Sequence, residues 1–373
     1  MTLRAVRFGL VSALLAAAAC GGRQMDIGSA PVAAVAREAA PAPEADYWVF
    51  VANESSDLVS LVRFGPGGAV LERDIKVDLK PADLDGVHGV TVSPDGKHLY
   101  VTIAHGTPFG YLWKLDPWTG ERVGETTLGR FPATIGIVPD GSRAFIVNFN
   151  LHGRPVPSSV SAVFLPAMNE EKQIETCVKP HGSRLNLAGT RAYSVCVGDD
   201  QLVEISVDRL AVTRRLDLNS VTEGRCGPTW ITPSADDAHL FVACNKLGQV
   251  LELDADSFKV VRRLAAGKGT YNLAASRNGR FLLATNKGEQ SVSVFDLTAG
   301  EEVARLSTTR PVTHGVVISP DDRYAFVSNE SIGAVPGTVD VIDLESLELV
   351  ASVEVRLQAG GIDFWRMENS EGH

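Results

Sequence analysis

The sequence predicts an all-β chain assembled from one short repeated unit, and three observations carry that reading. The first is composition: 45% hydrophobic against 21% charged residues, with 35 glycines and 19 prolines, supplies a large apolar core cut into many short elements by turns. The second is a turn of Ser-Pro-Asp-Gly character. It returns as Ser93-Pro94-Asp95-Gly96, Pro139-Asp140-Gly141, Ala188-Gly189, Ser234-Ala235-Asp236, Arg277-Asn278-Gly279 and Ser319-Pro320-Asp321-Asp322, at spacings of 42 to 48 residues. That is the period of a four-stranded propeller blade rather than of a helical repeat. The third is length: 373 residues exceed what one ordinary core serves, and a ring of modules removes the difficulty. The prediction is a seven-bladed β-propeller with four-stranded blades and a split closing blade.

Ahead of the repeats, residues 1–20 read as an export signal, with Arg4 and Arg7 before an apolar stretch over 8–15 and small residues over 16–19. The apolar run is too short to stay in a bilayer as a spanning helix, so removal is expected. Small residues ending in Cys20 resemble a lipoprotein cleavage site, which implies lipidation of Cys20, although Ala17 stands where that family usually has Leu. Ordinary cleavage beside Ala19 is the alternative. Residues 21–45 are an Ala/Pro-rich tether. Gly rather than Asp follows Cys20; resemblance to Gram-negative lipoproteins then implies the periplasmic face of the outer membrane, with membrane contact through the anchor alone.

The unit beginning at Tyr271 shows the internal order of a blade. Residues 271–276 form a first strand, Arg277-Asn278-Gly279 a turn, 281–285 a second strand, 291–296 an alternating third and 301–306 a fourth, with Thr298-Ala299-Gly300 turning between the last two. The same order starts near His88, Ala133, His181, Thr229 and His314. Residues 47–53, 58–64 and 70–76 match second, third and fourth strands, and 361–365 match a first strand. The two ends therefore share a seventh blade, and closure leaves no open sheet edge. The expected propeller covers 46–367, followed by a disordered tail over 368–373.

Tyr100-Val101-Thr102, Phe145-Ile146-Val147-Asn148, Phe326-Val327-Ser328-Asn329 and Val339-Asp340-Val341-Ile342-Asp343 resemble the YVTN-type seven-bladed repeats of bacterial envelope proteins, over roughly 46–367. Phe164 and Ser206 depart from the Asp that usually ends the third strand. The resemblance speaks to fold more than activity, since such propellers include binding proteins, lactonases and cofactor domains of oxidoreductases. In this family a histidine before a first strand can simply bond a neighbouring blade's backbone.

Strand polarity picks one face. Antiparallel strands bring the start of strand one and the end of strand two to the same side, away from the Ser-Pro-Asp-Gly turns. Seven residues before each turn Asp or its equivalent stand His88, Ala133, His181, Thr229, Tyr271 and His314, with Gly360 at the far end. Second strands end in Asn53-Glu54, His105, Asn148, Cys196, Asn245-Lys246, Asn286-Lys287 and Asn329-Glu330. Longer loops over 104–110, 148–159 and 330–337 lie on this face too. The candidate ligand rim is His88, His105, His152, His181, Trp230, Asn245, Lys246, Tyr271, Asn286, Lys287, His314 and Asn329.

Each has a plain alternative. The three equivalent histidines sit two, three and two blades apart and can meet only at the axis, where they would hold a metal or haem, act in acid–base chemistry, or only bond backbone. His105 or His152 can stand in for one of them. Lys246 and Lys287 are either a clamp for a carboxylate or phosphate or solvated loop charge. Trp230 floors a pocket or fills the core.

Cys177, Cys196, Cys226 and Cys244 fall on the same rim. Export favours disulfides, with Cys177–Cys196 and Cys226–Cys244 as one of three connectivities; free thiols and a Cys/His copper or zinc site are the alternatives. With 35 basic against 45 acidic residues and ten net negative charges, nucleic acid is excluded as a partner. The sequence contains no CxxCH, HExxH, GxSxG, GxxxxGK or calcium-loop motif. The expected function is a monomeric, lipid-anchored envelope propeller that binds a small molecule, metal or envelope protein through its His-rich rim. The alternative is a metal- or haem-dependent oxidoreductase or accessory domain with axial histidines, holding copper, zinc or non-covalent haem and resembling nitrite and nitrous oxide reductase propellers in fold only. A lactonase-type hydrolase is third.

Overall fold

The structure is a computed structural model that describes residues 42–79, 83–105 and 108–369. The export signal, Cys20, most of the tether and the last four positions of the expected tail lie outside the described residues. No helix among the described residues is long and apolar enough to cross a membrane.

The described residues form seven four-stranded antiparallel sheets. Six blades are contiguous in sequence, with inner strands Val87–Val92, Pro132–Ile137, Pro180–Leu185, Pro228–Pro233, Thr270–Ala275 and Thr313–Ile318. In the seventh, the chain's last strand, Ala359–Asn369, pairs with its first, Ala45–Asn53, through Phe50↔Asp363 and Val51↔Ile362. Split closure is therefore as the sequence predicts. The last strand runs to Asn369, four residues past the expected strand and two past the expected end of the propeller, because Asp46 and Ala45 offer partners to Glu368 and Asn369. Helix is limited, among the described residues, to the single turns Glu54–Ser56 and Leu218–Ser220.

Burial explains the strand patterns. The second strand Phe281–Asn286 is buried at every position, because each sheet is covered on both faces by its neighbours. The outermost strand Glu301–Ser307 alternates exposed and half-buried. Cores lie between blades: Leu283, Val292 and Val294 of the fifth meet Val316, Ala325 and Val327 of the sixth. At the repeated turn, Ser93 Oγ bonds Asp95 Oδ1 at 2.6 Å and Gly96 takes the corner at φ +70°, a conformation glycine adopts without Cβ strain.

Hydroxyls of the second strands lock blade to blade. Thr285 Oγ1 accepts the Asn272 N–H at 2.9 Å and donates to the His314 carbonyl of the next blade at 2.8 Å. Thr102 serves Gly89 and Ala133 in the same way, and Ser328 serves Gly315 and Gly360. The asparagines that close these strands turn inward: Asn286 Nδ2 donates to Ser291 and Ser293, and Asn148 to Ser159 and Ser161. The Thr/Ser and Asn of the repeat are thus hydrogen-bond fasteners for the ring.

Candidate functional site at the propeller axis

The inner strand of every blade breaks register where the repeat alignment places its axial residue. The breaks fall between Val87 and Val90, Pro132 and Ile135, Pro180 and Ser183, Pro228 and Trp230, Thr270 and Leu273, and Thr313 and Val316, and opposite Val51/Asn53 in the split blade. A bulge of this kind re-aims a side chain out of the normal alternation. The glycine after each axial histidine lets the next blade come close: a Cβ on Gly89 would stand 2.0 Å from the Ala133 carbonyl oxygen, and one on Gly182 2.5 Å from that of Thr229.

The three histidines consequently converge. The His88 ring centre lies 6.5 Å from His181 and 6.4 Å from His314, and Tyr271 stands 5.5 Å from His181 and 4.7 Å from His314. Phe131 and Phe149 pack against His88 and His181 at 5.2 and 4.7 Å. The three differ in what they bond. His181 Nδ1 meets the Thr229 carbonyl of the next blade at 2.8 Å, which is the backbone role allowed for such histidines. A carbonyl only accepts, so Nδ1 carries the proton and Nε2 accepts from the Tyr271 hydroxyl at 3.1 Å. His88 Nδ1 bonds Glu54 Oε2 at 2.7 Å, and the other oxygen of Glu54 takes His105 Nε2 at 2.7 Å. His314 Nδ1 is buried without a partner among the described residues, and its Nε2 lies 3.6 Å from Glu330 Oε1.

Electrostatics divide the cluster. Burial alone would raise the Glu54 carboxyl, but the two imidazoles override it and hold the group far below the usual carboxylate range. The hydrogen bond to Glu54 in turn raises His105 against the effect of burial. Burial pulls His181 down to about 4, with the neighbouring His88 and Lys287 adding to it, and pulls His314 well below its ordinary value. Burial opposes the charge of Lys287, yet the neighbouring Tyr271 and Glu330 keep its pKa raised. Lys287 Nζ lies 2.5 Å from Glu330 Oε1 and 4.4 Å from the Tyr271 ring centre.

Other rim residues part company. Lys246 lines a separate cavity with Lys179 and Arg225, whereas Lys287 belongs to the axial cluster. Asn286 and Asn329 are fully buried and donate through Nδ2 within their own blades; Asn245 Nδ2 donates to the Thr270 carbonyl at 3.2 Å. These three asparagines serve the scaffold. His152 sits at the edge, its ring 5.8 Å from His105. Trp230 is buried, 6.2 Å from His181.

Below the imidazoles runs an axial cavity of about 330 Å³, lined by all seven inner strands. Its wall includes His88, His181, Trp230 and His314 and, three residues beyond the axial position in their strands, Arg184 and Asp363. Trp230 therefore both fills core and walls a pocket. Arg184 stacks on Trp230 at 4.5 Å. Burial lowers the Arg184 pKa against the pull of Asp363, and raises Asp363 to about 6.

The sequence reading placed Glu54 and Glu330 on the rim without a role, and missed Arg184 and Asp363. The same alignment holds the signal: the column three residues past the axial position reads Thr91, Gly136, Arg184, Thr232, Ala274, Val317 and Asp363, with two charges among small or neutral residues. As for metal, the nitrogens of the three histidines do not form a tight set. Among the described residues the one triad of candidate ligand atoms within 4.8 Å of one another is Cys177, Cys196 and Asp199, and those sulfurs are joined in a disulfide. Cysteine pairing is Cys177–Cys196 and Cys226–Cys244.

Fold and cavity together define a seven-bladed β-propeller consistent with a binding module. No protein-family model and no curated protein matches the chain. Among solved structures it is similar to hydrazine synthase of Kuenenia stuttgartiensis, at 21% identity, a TM-score of 0.60, and coverage of 72% of this chain and 79% of that one. At that identity the likeness is one of fold, and 1613 solved chains share such a likeness, so it points to no particular activity.

Proposed function

We propose that the chain is an exported, lipid-anchored propeller of the YVTN kind that binds a small ligand, metal ion or envelope partner at its axial mouth. The observation that carries this reading is convergence: five blades send Glu54, His88, His181, Tyr271, Lys287, His314 and Glu330 to one mouth, above a cavity all blades line. A rigid ring with a polar, partly desolvated mouth is what a small-molecule site needs. Two disulfides in a small set of cysteines support an oxidising compartment.

A metal- or haem-dependent role is the second reading, favoured by one feature. His88 Nε2 and His314 Nδ1 have no hydrogen-bond partner among the described residues, so two imidazole nitrogens stand free at the axis. One experiment separates the readings. Protein isolated from its own envelope is examined by absorption and elemental analysis, then stripped and titrated calorimetrically with copper and zinc, alongside His88→Ala, His181→Ala and His314→Ala. Stoichiometric metal or a haem spectrum, with micromolar or tighter uptake lost in the variants, establishes the second reading. Weak uptake unchanged by the variants removes metal and leaves an organic-ligand or partner surface.

A further inference from the structure

The inner wall of the axial cavity carries two charges that do not neutralise each other directly. Arg184 belongs to the third blade and Asp363 to the seventh, nearly across the ring. No carboxylate among the described residues lies within 4.0 Å of the Arg184 guanidinium, whose hydrogen bond is to the adjacent Ser183 carbonyl at 2.9 Å. Its Cζ sits over the Trp230 ring, 4.5 Å from the centroid, which confines it to that wall. Asp363 is held just as firmly, accepting the Val92 N–H at 2.8 Å and the Phe364 N–H at 2.9 Å. Both groups are therefore pre-positioned rather than free to swing together.

The neighbouring wall is short of partners. Trp230 Nε1, Asn272 Oδ1 and His314 Nδ1 are buried polar atoms without hydrogen bonds among the described residues, and all three residues line this cavity. Buried polar groups in native proteins are almost always paired, and these three atoms leave the cavity wall with a donor and acceptors for a polar occupant. Between them the wall is apolar, with Val90, Ile135, Leu185 and Ile362. A lone anion would face Asp363 and a lone cation would face Arg184, each in a low-dielectric site where like charges repel strongly. A molecule carrying both charges meets neither penalty.

We propose that the axial cavity binds a small zwitterionic amino acid, its carboxylate on Arg184 and its ammonium on Asp363. A volume of about 330 Å³ lies at the small end of the range for ligand sites, roughly 300–1,000 Å³, and suits a compact amino acid rather than a peptide. The planar guanidinium gives the carboxylate a two-pronged hydrogen bond, and Trp230 and the aliphatic residues cover the side chain. This assignment rests on the axial cavity being the protein's binding site and names the chemical class it receives.

The test is calorimetric titration of the full-length mature protein with glycine, alanine, valine, proline, β-alanine and glutamate. Alanine is compared with its single-charge counterparts propionate and ethylamine. At least one amino acid should bind, and the matched single-charge analogues should bind at least tenfold more weakly. Arg184→Met, which keeps the stem over Trp230, should abolish binding, and the near-isosteric Asp363→Asn should remove the advantage of the amino acid over propionate. Melting curves without ligand show that each variant is folded; if Arg184→Met is not, Asp363→Asn alone decides. Equal binding of alanine and propionate, or no binding by any amino acid at millimolar concentration, overturns the assignment. Copper or zinc uptake sensitive to His88→Ala in that second case would leave the axial binding reading standing. Absence of both overturns the assignment and leaves the mouth as a surface for another organic ligand or an envelope partner.

Discussion

His181 illustrates how one side chain can serve scaffold and site. Its Nδ1 fastens the third blade to the fourth through Thr229, and its Nε2 orients Tyr271 at the mouth. Because burial holds its pKa at about 4, while an unfolded chain's imidazole titrates near ~6.5, the unfolded state binds the extra proton between those values. Stability from this group is complete above the unfolded pKa and declines as pH falls toward 4. Urea unfolding at pH 7 and pH 5 should show wild type losing about 2 kcal/mol more than His181→Gln over that interval; equal losses would mean the imidazole is not buried neutral. At this scale the sequence was readable in part. Equal offsets from the turn located His88, His181 and His314, but not that Glu54 would join His88 to His105, because that contact crosses from the split blade to the first and follows from ring closure. Lys246 and Lys287 occupy the same repeat position, and only packing against Tyr271 and Glu330 separates them.

Strands and turns were the most legible elements, since each turn carries its own chemistry in Ser, Asp and Gly. The register breaks were not legible. A bulge depends on which residue faces which across a pair, as when Thr313 opposes Asn329 but Val316 already opposes Val327. The hydroxyl fasteners follow from those breaks, and they are testable. Thr285→Val keeps shape but leaves the Asn272 N–H and the His314 carbonyl without their 2.9 and 2.8 Å partners. Leaving a buried polar group unpaired costs about 1–3 kcal/mol, so the midpoint of urea unfolding should drop accordingly, and Thr285→Ser should restore most of it. A neutral Thr285→Val would show that the hydroxyl fasteners contribute nothing to the joint between blades.

For the whole molecule, closure is the decisive event. Repeat counting gave seven blades and the pairing of the ends, because six complete units leave three unmatched strands at one end and one at the other. Removal of residues 360–373 takes away most of the inner strand of the seventh blade together with Asp363 and Trp365, whose Nε1 bonds the Gly96 carbonyl at 2.9 Å. It exposes edges in a sheet that touches the first and sixth blades. Thermal melting of this truncation should begin far below that of the full chain, with loss of cooperativity; a melting curve superimposable on the full chain would show that the ring holds without its last strand.

Since Ala45 pairs directly with Asn369, the beginning and end of the ring are adjacent residues in one sheet. A short linker can therefore weld them, and the chain can be cut elsewhere to give a circular permutant. The tip at Gly141 suits a new pair of ends, as a Cβ there would meet nothing within 4 Å and it faces away from the axial mouth. Such a permutant would convert the split blade into an ordinary continuous one and move the interruption into the second blade. Its axial side chains should stand where they stand in the parent, so the order of the blades along the polypeptide is a matter of synthesis, and the site belongs to the circle.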